Sequence, residues 1–405
     1  MKKILFYCQY LSGMGHLVRS SEIVRSLSKD FQVYFITGGP TIQGFELPTQ
    51  VETIRLPALW LEKGEFTVGD SPFTVEEVKE ARKNILIAEC DRIKPDCLIT
   101  EFFPFGRHKL LFELIPLVEH IKATSPTTKI VSSLRDAIGK DSEPEEEETI
   151  CDLMNRYFDL LLFHADARFQ AFSDSFARAR DIKAEIIHTG FVTQQFQFDC
   201  ENSNQLWNEV NSDRVKILAS IGGGRIGYEL LEALVESSAI LSQNLSHVIK
   251  IFTGPFMPLE KVGKLRELAS DRHNIQIETY TSQLLDYMKT ADVSVSLGGY
   301  NTTMNILSTG VRAIVVPIGH ERQDKEQLLR AQKLDELGLV NCLYPQVLSP
   351  MYLAEKIIRC LARQTSKVPY QFNLQGAVNT ASFLKNFLGD RPSITRDRLR
   401  LVNTY

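Results

Sequence analysis

The stretch Ala291-Asp-Val-Ser-Val-Ser-Leu-Gly-Gly-Tyr-Asn-Thr-Thr-Met-Asn-Ile-Leu-Ser-Thr-Gly310 decides the fold. Its β-branched run Val293–Ser296 reads as a buried parallel strand. Gly298 and Gly299 follow at once. A helix then opens with Asn301 or Thr302 as the expected N-cap and Met304, Ile306 and Leu307 as its apolar positions. Gly310 suits the left-handed residue that ends such a helix. Ala313–Val316 is the next strand, stopped by Pro317. Strand, glycine turn and helix N-terminus together make an anion site, because the first helical N–H groups have no intrahelical acceptor and point outwards. Gly298, Gly299, Tyr300, Asn301 and Thr302 are the residues expected to face a phosphate there.

Working outward, the same alternation runs through the chain. Lys3–Cys8 is a strand, Leu11–His16 a glycine loop, Leu17–Ser28 an amphipathic helix and Gln32–Thr37 a second strand. This βαβ unit implies a parallel sheet with right-handed crossovers. Further strands are expected at 51–56, 96–100, 129–134, 160–164 and 185–189, with a long loop at 59–72. The polar segment 191–213 reads as a linker. A second series begins with the strand Val215–Ser220 and the turn Gly222-Gly223-Gly224-Arg225, and ends with a helical segment at 368–387. The expected division is 1–190, a linker 191–213, a second unit 214–366, a terminal helix 367–390 and a tail 391–405. The fold class is α/β with two doubly wound Rossmann-like units facing a cleft, where ligands bind at the carboxyl ends of the strands.

A chain of 405 residues is long for a single core. Hydrophobic content of 43% and charged content of 24% are those of a globular protein. A net charge of −4 offers no bulk attraction for nucleic acid, so no nucleic-acid partner is expected. Seven scattered cysteines without a Cys-x-x-Cys pair suggest free buried thiols and no metal site. The opening Met-Lys-Lys-Ile-Leu-Phe-Tyr turns polar at Gln9, too soon for a signal peptide, and no apolar run reaches the ~18–20 residues that span a bilayer. The expected location is cytoplasmic, or peripheral at the inner face of the membrane.

The order of Gly13-Met14-Gly15-His16, Gly222-Gly223-Gly224, Gly299-Tyr300-Asn301-Thr302 and Gly310 resembles the GT-B glycosyltransferases. It is most similar to the MurG-like group with a family 28-type C-terminal domain, and Gly-Tyr-Asn-Thr is similar to the Gly-Trp-Asn-Ser of transferases acting on small molecules. The resemblance implies an inverting, metal-independent hexosyltransferase. It would take a nucleotide sugar, most often a UDP-sugar, as co-substrate, need no other cofactor, and glycosylate a hydroxyl acceptor, either lipid-linked or a small metabolite. The donor would lie in the second unit and the acceptor in the first.

Loss of the leaving diphosphate builds negative charge, which backbone N–H groups and cations must stabilise. Gly13, Gly15, Gly223, Gly224 and Arg225 are candidates beside the organising turn. By resemblance, Asn305 stands where an acidic residue usually grips the ribose, and Asp324 and Gln327, with Glu326 and His320 near them, stand where the transferred sugar is held. His16 corresponds to the loop histidine of related enzymes and is the candidate general base. Asp136 competes for that role or orients His16, and Glu101 has the same placement at a strand end. Arg19 lies one helical step beyond His16. Phe102-Phe103-Pro104-Phe105 and Leu59–Leu61 line an acceptor pocket or pack in the core. Two rival readings on the same scaffold are a UDP-sugar 2-epimerase, which needs acid/base carboxylates in the cleft, and a non-catalytic nucleotide-binding module.

Overall fold

The computed structural model describes residues 1–11, 14–39, 42, 45–62, 64–135, 144–196, 206–207, 213–318, 321–362 and 371–389, the side chains of 321–325 excepted. In the first half the elements are β1 (Lys3–Tyr7), α1 (Gly15–Leu27), β2 (Gln32–Thr37), β3 (Glu52–Arg55), β4 (Trp60–Glu62), β5 (Glu65–Thr67), α2 (Val75–Ile93), β6 (Cys97–Glu101), α3 (Leu111–Thr124), β7 (Lys129–Arg135), α4 (Pro144–Tyr157), β8 (Leu160–His164) and β9 (Glu185–His188). The second half runs β10 (Val215–Ser220), α5 (Tyr228–Leu241), β11 (His247–Phe252), α6 (Leu259–Leu268), β12 (Ile275–Glu278), α7 (Leu284–Thr290), β13 (Val293–Leu297), α8 (Tyr300–Thr309), β14 (Ala313–Val316), α9 (Glu321–Glu336), β15 (Asn341–Cys342), α10 (Pro350–Ala362) and α11 (Gly376–Phe387).

These strands form two parallel sheets, ordered β3-β2-β1-β6-β7-β8-β9 and β12-β11-β10-β13-β14-β15. The central strands are buried on both faces, β13 including its two serines, which is why apolar and small residues dominate them. In each sheet the winding reverses beside the first strand, between β1 and β6 and between β10 and β13. Such a reversal opens a crevice at the carboxyl ends of the strands. Register brings Tyr7 level with Thr100, and Ser220 level with Ser296. The two glycine turns of the second sheet and the described parts of the loops after β1 and β6 therefore gather at strand carboxyl ends.

Several boundaries differ from the sequence expectation. The loop at 59–72 contains an antiparallel hairpin, β4 with β5, and Leu61 N donates to Leu11 O, tying it to the loop after β1. The N-cap of α8 is Gly299, at φ −63° and ψ 154°, and Tyr300 is already helical. Asn301 and Thr302 therefore lie inside the first turn. The terminal helix starts at Gly376. Its Ala377, Ala381 and Leu384 share a core with Ile4 and Phe6 of β1, so the chain returns to the first sheet at its end. Phe103 and Phe105 are core residues, whereas Phe102 is only partly buried.

Candidate functional site

The N-terminus of α8 is built from the sequence upward as expected in kind, with one change. No side chain caps it. A methyl placed on Gly299 would meet nothing within 4 Å, so space lies in front of the turn. Gly298, by contrast, donates its N–H to Val316 O at 3.0 Å and gives its carbonyl to Arg330 Nη1 at 3.2 Å. Its amide is spent in the sheet, and the outward-facing amides begin at Gly299. Tyr300 is 4% exposed and points inwards: its hydroxyl accepts from Val192 N at 3.0 Å and reaches His164 O at 3.4 Å. Asn301 Nδ2 donates to Gly15 O at 2.8 Å, across from one sheet's glycine loop to the other's.

On the other side of that bond stands His16, in the first turn of α1. Its Nδ1 lies 2.5 Å from Oε1 of Glu101, the last residue of β6. Glu101 is fully buried and also accepts from Arg19 Nη2 at 2.5 Å and Arg107 Nη2 at 3.0 Å. Burial by itself would raise the Glu101 pKa; the His16 imidazole, protonated at the low pH where this carboxyl titrates, and the Arg107 and Arg19 guanidiniums outweigh it and hold the carboxyl well below the usual range. Burial is also the largest influence on His16, pushing it down to about 3; Glu101 opposes, and Arg107 and Arg135 add to the lowering. A carboxylate can only accept, so Nδ1 carries the proton donated to Glu101, and in the neutral imidazole Nε2 is left as a proton acceptor. The carboxylate that orients His16 is Glu101. Asp136, the first choice for that partner from sequence, lies outside the described residues.

A second cluster joins the sheets. Arg135, at the end of β7, donates to Glu326 Oε2 of α9 at 2.6 Å. Glu326 Oε1 in turn accepts from Arg330 at 2.5 Å. The Tyr300 ring lies between two guanidiniums, 5.9 Å from Arg19 and 5.6 Å from Arg330. Nε and Nη1 of Arg19, Nε of Arg107 and Nε of Arg135 are buried without an acceptor. On the α8–α9 side the vacancies are the reverse: Asn305 Oδ1 and Gln327 Oε1 are buried acceptors without a donor.

The remaining sequence candidates divide. Asn305 is 1% exposed and gives Nδ2 to Gln194 at 2.7 Å, so its amide is turned towards the chain between the sheets. Gly223 lies beside Phe256 and near Met14 N, at the meeting of the two glycine loops. Gly224, at φ +88°, is required for another reason: a methyl there would fall on the Thr253 carbonyl. Arg225 is exposed and sits 5.0 Å over the Phe256 ring. Thr302 lies in the first turn of α8, partly exposed. Gly15 is exposed at the start of α1. Gly13 and His320, and the side chain of Asp324, lie outside the described residues. Sequence reasoning missed Arg107, Arg135 and Arg330. Arg135 was visible as a charge ending a buried strand, but nothing local marks Arg330, whose partner Gly298 is 32 residues away.

Residues 218–382 match the model of the glycosyltransferase family 28 C-terminal domain. Over 190 residues, 47% of this chain, the sequence is 24% identical to the UDP-N-acetylglucosamine--N-acetylmuramyl-(pentapeptide) pyrophosphoryl-undecaprenol N-acetylglucosamine transferase of Streptococcus equi subsp. zooepidemicus. That match takes in 49% of the transferase, so the chain spans about half the length of the curated relatives it matches. Among solved structures, MurG of Acinetobacter baumannii superimposes with a TM-score of 0.53 at 13% identity, over 100% of this chain and 99% of that one. A putative UDP-N-acetylglucosamine 2-epimerase from Listeria monocytogenes does so with a TM-score of 0.62 at 12% identity, over 97% and 99%. At these identities the likeness is one of fold. No helix among the described residues is long and apolar enough to cross a membrane. The chain thus shares the GT-B fold of these structures, and its residues 218–382 are similar to the glycosyltransferase family 28 C-terminal domain.

Proposed function

We propose that the protein is an inverting glycosyltransferase that moves a sugar from a nucleotide sugar, a UDP-sugar by preference, to a hydroxyl acceptor without a metal ion. The observation that carries this reading is the His16–Glu101 pair held against the uncapped N-terminus of α8 by the Asn301–Gly15 bond. His16 Nε2 takes the acceptor's proton, the freed oxygen attacks the anomeric carbon, and the carbon–oxygen bond to the diphosphate breaks with its electron pair leaving on phosphate. Base catalysis of this kind contributes about 10²–10⁴ in rate. The developing charge meets the amides of Gly299, Asn301 and Thr302, a helix end worth roughly half a positive charge, and the unfilled donors of Arg19, Arg107 and Arg135. Asn305 Oδ1 and Gln327 Oε1 await hydroxyl donors, which the ribose and the transferred sugar supply.

In this reading residues 1–190 hold the acceptor, lipid-linked or small, and 214–366 the donor, with 191–213 and 367–390 as the two connections. The work is done in the cytoplasm or at the inner face of its membrane. The match to a family 28 domain favours transfer over epimerisation. So does the chemistry of the carboxylates: Glu101 is held by three partners and Glu326 by two guanidiniums, which leaves neither free to shuttle a proton. The test is a panel of UDP-, GDP- and dTDP-sugars, read by thermal shift and by release of free nucleotide. One nucleotide should stabilise the protein and turn over slowly to water. Release of an epimerised sugar would favour the epimerase instead, and no response to any nucleotide would dismiss the transferase.

A further inference from the structure

Phe102 has no place in the reaction described above, yet its backbone is held at φ 65°, a left-handed conformation that bulky residues avoid. Arg107, at the other end of the same loop, is also left-handed at φ 70°. The loop between them is fixed from outside. Phe102 N donates to Ser133 O at 2.9 Å, and the hydroxyls of Thr100 and Ser132 both donate to Phe103 O, at 3.0 and 2.8 Å. Phe103 is thereby sunk into the core while the adjacent ring is directed elsewhere. It goes to the site: its centroid is 5.3 Å from that of His16, tilted by 59°, and the guanidiniums of Arg107 and Arg135 each stand 5.7 Å from it. Strain that the surroundings enforce, at a residue of this size, points to function.

We propose that Phe102 is a positioning residue: its ring, fixed between Arg107 and Arg135, covers the His16 imidazole, fixes its orientation on Glu101 and keeps water from the pair. The charged groups that bear on His16 are Glu101 at the end of β6, Arg107 from the loop that follows it, Arg135 from β7 and, through Glu101, Arg19 from its own helix; Cys8, just after β1, meets only its carbonyl. Beside these charges the Phe102 ring is the aromatic contact of the imidazole, at 5.3 Å between centroids and tilted by 59°. Burial is the largest influence holding His16 neutral, and the ring supplies part of that burial. Gly106 completes the arrangement, because a methyl there would fall on Cδ1 and Cε1 of the Phe102 ring. The catalytic meaning of this cover rests on His16 being the transferase base. The cover itself does not.

The experiment uses the full chain with histidine labelled by ¹⁵N, His16 being assigned by loss of its signals in H16Q. Imidazole nitrogen shifts report tautomer and protonation without any turnover. In the unsubstituted protein His16 should stay in the Nδ1–H form, with no titration from pH 8 to 5. In F102A the midpoint should rise into that window. G106A, which displaces the ring without touching Phe102, should do the same, and F102A/G106A should add nothing further. On a nucleotide-sugar substrate, kcat should fall about ten-fold or more with KM little changed, a loss within the reach of one general base. Should F102A fail to fold, G106A is decisive alone. An unchanged His16 tautomer and titration in G106A, or a His16 that titrates normally before any substitution, overturns the proposal. Shifted titration with no turnover on any nucleotide sugar upholds the cover and counts against the transferase.

Discussion

Replacing Glu101 with Gln is the substitution whose consequences the structure fixes most closely. The amide keeps the shape and one acceptor oxygen, so no cavity forms. What disappears is the charge facing Arg19, whose side chain is 1% exposed, and Arg107, at 10%. Removing one partner from a buried ion pair costs about 3–5 kcal/mol, since the other charge is left uncompensated. Arg19 already has two unfilled donors, which puts the expected loss towards the upper end of that range. The loss must also depend on pH. Glu101 in the folded chain titrates well below the ordinary carboxyl pKa of about 4.3, so its contribution is complete above that value and declines as pH falls through the folded pKa. Urea denaturation of both proteins at pH 7, 5 and 3 measures this. E101Q should be less stable by about 3–5 kcal/mol at pH 7 and pH 5, with a smaller gap at pH 3. A gap below about 1 kcal/mol at pH 7, or one that stays constant down to pH 3, would refute the account of Glu101 as the buried counter-charge.

Three further outcomes are expected. In the His16→Gln protein the acid sensitivity should change: the neutral imidazole makes unfolding take up a proton, so stability is held above about pH 6.5 and lost as pH falls towards about 3, and H16Q should flatten that limb in denaturation curves. Arg82 is wholly buried, bidentate on Glu113 at 2.8 and 2.7 Å, and bonded to Gln9 and the Pro57 carbonyl; R82M should cost about 3–5 kcal/mol and lower the thermal midpoint. Phe102→Gly and Phe102→Ala both delete the ring, but only glycine relieves the left-handed backbone; F102G should be more stable than F102A by about 1 kcal/mol, measured by urea midpoint, and equal stability would contradict the conformation described.

The sheets were legible because a strand buried on both faces declares itself in its own residues, as Val293–Leu297 and Leu160–His164 do. His16 and the turn at Gly298–Thr302 were legible because helix starts after glycine are local events. The N-cap was misplaced because Gly299 caps by conformation, without the side-chain oxygen that marks Asn or Thr. Glu101 was outranked by Asp136 although it ends a strand one place from β1, because no local spacing reports that it meets His16 85 residues away. The hairpin β4–β5 is three residues a side and shows no alternation long enough to read. The inward turn of Tyr300 depends on Val192 and His164, 108 and 136 positions distant, which no periodicity reveals.

The two passages of the chain between the sheets run against one another. Phe191 N donates to Asn373 O, Gly376 N donates to Phe191 O, and Val192 pairs antiparallel with Gln375. Outgoing and returning chain thus form a two-ply strap, stitched at the place where the Tyr300 phenol is tethered. A two-ply strap survives the cutting of either ply. A protease nick in one connection should leave a molecule that still migrates as one body under native conditions and separates into two fragments only in denaturant.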